Sequence, residues 1–130
     1  MLAKFEKFLV QDSSSCAPLM LPREAWRRIA SFDSTPFDSV GFEVPDSDLR
    51  DWFQHTFHFQ ELDPRSQISI GGYEKARWFS VKSGIGSAQL ADLWLSTDSR
   101  ELLILDFESR RVLGIISEEY DFEAHKFDIE

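Results

Sequence analysis

Apolar residues change their spacing along the chain, from a helical repeat in the first half to an extended pattern in the second. Up to about residue 59 they recur every three or four positions, as on one face of a helix. After Arg65 they form short runs rich in β-branched, aromatic and leucine residues, separated by turn-like stretches. Helices followed by strands are typical of an α+β domain in which the helices pack on one side of the sheet.

Three helices are predicted in the first half. Residues 2–10 carry apolar side chains at helical spacing with charged residues between them. The second helix, in "LPREAWRRIASF", starts at Pro22, because proline suits the first helical position. The third begins with Asp46 or Ser47 as its cap and ends by about Phe59.

Five strands are predicted after Arg65, in "QISIG", "ARWFSVK", "ADLWLS", "ELLILDF" and "RRVLGII". The turn-like "STDSR" and "ESR" would join the last three into an antiparallel meander. The continuous apolar run 102–105 indicates a central strand covered on both faces, and a further short strand is expected at 41–44. The fold class is therefore α+β, with two to three N-terminal helices packed on a predominantly antiparallel sheet of about five strands.

Length and composition indicate one domain spanning residues 1–130. The chain has 12 Phe, 4 Trp and 2 Tyr, enough large side chains for a core without disulfide or metal cross-links. A single cysteine, Cys16, cannot form an internal disulfide, which suits a reducing compartment. No apolar run approaches the roughly 20 residues that span a bilayer, so we predict a soluble, cytoplasmic protein without a membrane partner.

The net charge of −9 is concentrated in two segments. Residues 32–64 contain eight acidic and one basic side chain, and residues 118–130 contain six and one. If these segments meet in space they form a negative face, which repels nucleic acid and attracts a basic partner; the alternative is general solubility. The one basic stripe, Arg23, Arg27 and Arg28, is too small to indicate nucleic-acid binding.

The stretch "VPDSDLRDWFQHTFHF" is the first candidate for chemistry. Asp51, His55 and His58 have i, i+4, i+7 spacing on the helix face opposite the apolar one, which brings a carboxylate and two imidazoles within reach of one another. A metal site or an acid–base pair is one interpretation. The other, which we favour, is a solvated helix face, because the spacing matches no recognised metal signature. We predict no cofactor.

Other motifs are weaker. Gly84-x-Gly86 lacks the remaining residues of a nucleotide-binding loop, and we predict a flexible loop between two strands there. No Gly-x-Ser-x-Gly indicates a serine hydrolase. The closing "SEEYDFEAHKFDIE" alternates acids with aromatic residues, which either pack on the domain's own core or anchor a basic partner.

"FEKFLV" followed by "LPREAWRRIASF" resembles the opening of the SUKH superfamily. The matching positions of its Leu-Pro-x-x-aromatic-x-x-apolar helix are Leu21, Pro22, Trp26 and Ile29, with the aromatic shifted by one residue, and "DLWLSTDSRELLILDFESRRV" resembles the family's later hairpins. The resemblance implies an α+β domain that binds proteins, and in bacteria often an immunity protein that neutralises a toxin. It implies no catalytic residues.

We therefore predict a non-enzymatic acidic domain, an immunity protein that occludes the basic surface of a cognate toxin domain. It would be a monomer or a small homo-oligomer. The alternatives are a metal-dependent hydrolase using Asp51, His55 and His58, and a structural or adaptor component of a larger assembly. The predicted partner-binding residues are Asp46, Asp48, Asp51, His55, Glu118, Glu119, Asp121, Glu123 and Asp128.

Overall fold

An antiparallel sheet of seven strands lies at the centre of the fold, in the order β1-β4-β3-β5-β6-β7-β2. The computed structural model describes residues 5–12, 19–31 and 33–129. The strands are β1 (Leu9–Asp12), β2 (Asp38–Gly41), β3 (Gln67–Ile70), β4 (Phe79–Val81), β5 (Leu102–Asp106), β6 (Arg111–Ser117) and β7 (Asp121–Asp128). The predicted α+β class is confirmed, with seven strands where about five were expected.

Three α-helices occur within the described residues, α1 (Pro22–Ile29), α2 (Asp46–Thr56) and α3 (Ser87–Ser96), together with a 3₁₀ helix at Tyr73–Lys75. As predicted, Pro22 begins α1. The predicted cap of α2, Asp46 or Ser47, was wrong, because the cap residue is Pro45 and Asp46 and Asp48 lie in the first turn. Acidic side chains suit that position because they face the positive end of the helix dipole. Both helices thus form where the sequence indicated.

The helices cover both faces of the sheet, not one face as expected. Alternate residues of β5 enter different cores: Leu102 and Ile104 pack with α2 and α3, whereas Leu103 and Leu105 pack with α1. Successive side chains of a strand point to opposite faces, so a continuous apolar run needs cover on both. The buried run 102–105 confirms the central strand that its sequence indicated.

The segment "ADLWLS" is helical, and its assignment to a strand was wrong. It belongs to α3, whose buried residues include Leu90, Leu93 and Trp94 at helical spacing. A short alternation of apolar and polar residues is compatible with both a strand and a helix. Packing of this segment against α2 favours the helix. "STDSR" consequently joins α3 to β5 and is not a hairpin loop. The Gly84-x-Gly86 loop leads into a helix and does not link two strands.

The helix predicted for residues 2–10 is also not observed in the described part of that segment, residues 5–10. Phe8 donates its backbone N–H to Phe5 O at 2.9 Å in a single turn, and β1 begins at Leu9 and pairs with β4. Phe5, Phe8 and Leu9 are all buried, so their spacing reflects a turn followed by a strand that share one core. Residues 2–4 and Cys16 lie outside the described residues.

The closing acidic segment forms β7, which lies between β6 and β2. Phe122 enters the core beneath α2 and α3, and Phe127 and Ile129 pack on the α1 side. Own-core packing, one of the two interpretations of this segment, therefore holds for these residues. Tyr120 is different, because its side chain is 76% exposed.

The short strand expected at 41–44 is shifted, since β2 occupies Asp38–Gly41 and pairs with β7. None of the helices in the described part of the chain has the length and apolar character needed to cross a membrane.

Gly114 allows α1 to approach the sheet closely. A Cβ atom on this β6 residue would lie 2.6 Å from Leu103 Cδ2 and 3.0 Å from Ile29 Cγ1. We expect Gly114→Ala to lower the free energy of unfolding by about 1–3 kcal/mol, because the added methyl overpacks this contact. Urea unfolding measures the loss. Combining it with Leu103→Val should recover part of that loss, and additive effects of the two changes would contradict the contact.

Candidate protein-binding site

The two acidic segments meet at one edge of the sheet. β2, from the first segment, pairs with β7, from the second, so that Gly41 lies opposite Asp121. Beyond these strands, Phe42 N donates to Tyr120 O at 3.2 Å. The β6–β7 turn with Glu118 and Glu119 therefore lies beside the chain that leads into α2.

The start of β5 adds a carboxylate to the same edge. Ser117 N donates to Glu101 Oε2 at 3.0 Å, next to the β6–β7 turn. Arg100, the preceding residue, donates two hydrogen bonds of 2.8 and 3.0 Å to the carboxylate of Asp46 at the start of α2. We call this surface the acidic edge; its carboxylates are Asp46, Glu101, Glu118, Glu119 and Asp121.

Two carboxyl groups of the acidic edge have perturbed acidity. The Arg100 hydrogen bonds lower the pKa of Asp46, because they stabilise the ionised form. Burial raises the pKa of Glu101, and the negative charge of Glu118 raises it further, against the Ser117 hydrogen bond. Arg100 therefore stabilises the ionised form of Asp46, whereas the ionised form of Glu101 is disfavoured.

Two exposed aromatic side chains accompany these charges. Phe42 is 42% exposed, and its ring contacts the buried Phe122 edge-on with centroids 4.6 Å apart. Tyr120 lies in the β6–β7 turn between the acidic residues. Exposed aromatic side chains bordered by charged residues are typical of a protein-binding site.

The remaining predicted partner-binding residues lie elsewhere. Asp48, Asp51 and His55 are exposed on α2, which starts at the acidic edge. Glu123 is on the α1 side of the sheet, where it contacts the buried His125. Asp128 lies at the opposite end of β7 and forms a 2.9 Å ion pair with Arg111.

The arrangement of Asp51, His55 and His58 differs from the helical wheel. α2 ends at Thr56, and Phe57 already has an extended backbone conformation, so His58 does not continue the helical face. Across residues 5–12, 19–31 and 33–129, no three His, Cys, Asp or Glu side chains are placed to hold a metal ion.

The arginines of α1 do not pair with Asp33 or Asp38 within the described residues. Arg27 lies 3.8 Å from Glu24 on the same helix. Arg23 and Arg28 lie over the rings of Tyr73 and Phe127. The basic stripe is thus held by contacts on its own side of the sheet.

Sequence reasoning missed Glu101 and Phe42. Glu101 belongs to a segment in which acidic and basic residues nearly balance, and Phe42 is one of 12 phenylalanines, so neither stands out locally. Only the pairing of β2 with β7 and of β5 with β6 brings them to the acidic edge.

The chain shows no significant similarity to a protein-family model, to a curated protein or to a solved structure. Membership of the SUKH superfamily therefore stays a prediction from the residues quoted above.

Glu101→Gln should stabilise the fold at neutral pH. The folded-state pKa is raised, so the ionised carboxylate costs stability once pH rises above its ordinary value of 4.5, and this cost is complete above the raised value. Glutamine keeps an oxygen to accept the Ser117 N–H. We expect a gain below about 1 kcal/mol, because solvent screens this partly exposed group.

Urea unfolding at pH 7 and pH 4 measures the effect of this change. The gain should shrink at the lower pH, and Glu119→Gln, on the exposed neighbouring turn, is the matched control. An equal gain at both pH values would contradict the electrostatic cause.

Proposed function

We propose that this protein is a protein-binding domain that recognises a basic partner through the acidic edge, and that it acts as an immunity protein. The observation that carries the proposal is the meeting of both acidic segments beside two exposed aromatic side chains. The mechanism is occlusion: binding alone blocks the functional surface of the partner, and this chain needs to catalyse no reaction.

Charge provides the long-range part of recognition. Carboxylates from α2, β5 and the β6–β7 turn produce a local negative potential in a chain of net charge −9. Such a potential speeds encounter with a positively charged surface and orients the two proteins before contact. The partner's basic groups would replace the partial neutralisation that Arg100 now gives to Asp46.

Aromatic side chains provide the short-range part. Phe42 is fixed by its contact with Phe122 and by its backbone hydrogen bond to Tyr120. An anchor already held in one conformation loses little entropy when a partner covers it. Tyr120 can bury its ring and still hydrogen bond through its hydroxyl group.

The choice of an immunity protein rests on the resemblance to the SUKH superfamily, whose members bind proteins and often neutralise toxins. We propose a cognate toxin domain as the partner, in the cytoplasm. A structural or adaptor role remains the alternative, and the mass of the purified protein in solution separates the two. A monomer or small oligomer supports the inhibitor, whereas a large ring or filament contradicts it.

Reversing charge at the acidic edge should slow association. We expect Glu118→Lys with Glu119→Lys to reduce the association rate by at least about tenfold at low ionic strength, since steering contributes roughly 10–10³-fold. The partner to use is the purified product of the gene next to the one that encodes this chain. Stopped-flow mixing gives the association rate. Glu24→Lys with Glu108→Lys changes the net charge equally at exposed positions away from the edge. Equal slowing by both pairs, or no dependence on salt, would count against the site.

Removing the exposed anchor should weaken the complex after encounter. Tyr120→Ala is expected to raise the dissociation rate with a loss of about 1–2 kcal/mol, while the free protein keeps its thermal stability because the ring is exposed. Leu21→Ala, at a residue 65% exposed on the α1 side, is the control. Surface plasmon resonance measures both variants. An unchanged complex with Tyr120→Ala would exclude Tyr120 as an anchor.

A further inference from the structure

A serine, a histidine and a glutamate form a continuous hydrogen-bonded chain on the α1 side of the sheet. Ser34 Oγ lies 2.7 Å from His125 Nδ1, and His125 Nε2 lies 3.0 Å from Glu123 Oε1. Ser34 is in the connection after α1, and the other two are on β7. The three residues are 91 and 2 positions apart in sequence, so no local motif indicates them.

The hydrogen bonds define the role of each ring nitrogen. A carboxylate accepts hydrogen bonds and does not donate them, so Nε2 carries the hydrogen that faces Glu123. Neutral imidazole has one N–H, which leaves Nδ1 as an acceptor for the Ser34 hydroxyl. His125 is 2% exposed, so packing also fixes its ring orientation. This is the relation between a nucleophile, its base and an orienting group in nucleophilic catalysis.

Ser34 also faces open space. It lines a surface depression of about 420 Å³ together with Arg28, Asp33, Thr35 and Phe127, which is within the range of small-molecule sites. The Arg28 guanidinium lies 4.0 Å from the centre of the Phe127 ring. No ion pair involves Arg28 within the described part of the chain.

Two cationic side chains, Arg28 and Lys126, line the same depression as Ser34. Both can stabilise negative charge on a substrate oxygen. Such donors favour the oxyanion that forms when a serine attacks a carbonyl group. The Asp33 carboxylate on the same depression offsets one of the two positive charges, so a neutral ester fits this surface without a charge of its own.

We propose that Ser34 is an acyl-accepting nucleophile for small neutral carboxylic esters, with His125 as its base and Glu123 as the positioning residue. Ser34 Oγ forms a bond to the ester carbonyl carbon while its proton moves to His125 Nδ1. The bond from that carbon to the leaving oxygen then breaks, and the departing alcohol takes the proton. Water, deprotonated by His125, cleaves the acyl-serine to give the carboxylic acid and free Ser34.

This site is separate from the acidic edge and does not depend on binding a basic partner. The competing interpretation is that His125 is a buried histidine whose two hydrogen bonds tether the connection after α1 to β7. A tether and a nucleophile predict different reactivity for Ser34, and covalent labelling distinguishes them.

The test uses the full chain with a fluorophosphonate probe and with 4-nitrophenyl acetate. We expect intact-protein mass spectrometry to show one added fluorophosphonate group, placed on Ser34 by peptide mapping, and no labelling of Ser34→Ala. Ser39→Ala removes the hydroxyl group of an exposed serine on β2 that does not line the depression, so it should retain labelling. An unlabelled native chain, or equal labelling of Ser34→Ala, would overturn the proposal and leave the tether and the non-enzymatic prediction standing.

Glu123→Gln tests the positioning role. It should lower the maximal rate of 4-nitrophenyl acetate cleavage by about 100-fold, the scale of base catalysis, without changing the ester concentration that gives half that rate. A loss of structure alone would instead reduce the amount of active protein and the melting temperature together. Thermal unfolding followed by circular dichroism is measured for all variants, and an unchanged maximal rate would remove Glu123 from the mechanism.

Discussion

Pairing between β2 and β7 is the interaction on which both candidate surfaces depend. It joins residues 38–41 to residues 121–124, which are separated by most of the chain. At one end of this pair, Phe42 and Tyr120 are brought together with the carboxylates of the acidic edge. At the other end, Phe37 N donates to Ala124 O at 2.8 Å, and the connection before it places Ser34 beside His125.

Repulsion between its carboxylates means that the acidic edge lowers the free energy of unfolding. The raised pKa of Glu101 reflects burial together with repulsion from Glu118, whereas Arg100 stabilises the ionised Asp46. Like charges at a protein edge weaken folding but strengthen attraction to an opposite charge. The core supplies the compensating stability, because aromatic contacts such as Phe53 with Trp94 and Trp94 with Phe122 connect α2, α3 and β7.

Successive side chains of β7 point to opposite faces of the sheet, so they take part in two chemically different surfaces. Phe122 and Ala124 face the core beneath α2 and α3, whereas Glu123 and His125 face the α1 side. One acidic stretch of sequence therefore contributes to a carboxylate-rich edge and to a buried hydrogen-bond chain. Its charge pattern alone suggested a single continuous binding surface. Which of its residues share a face becomes clear only once the segment is known to be a strand and its partners are known.

Sequence by itself determined the α+β class, α1, α2 and the strands β3 to β6, but it did not indicate that the closing acidic segment forms β7. These follow from local spacing and from the proline that begins α1, which act within a few positions. It also located the charge, including Asp46, Glu118, Glu119 and Asp121. Local spacing failed for residues 5–10 and for α3, where short apolar patterns fit two periods and packing selected one.

Tertiary structure decided which residues meet. Phe42 joins the acidic edge, and Ser34 joins His125, because β2 pairs with the distant β7, whereas Glu101 joins the edge through the β5–β6 hairpin. Strand pairing and its register depend on burial across the whole sheet, so no short segment encodes them alone. The sequence shows which chemical groups the chain contains, whereas the order and pairing of the antiparallel strands set the distances between those groups.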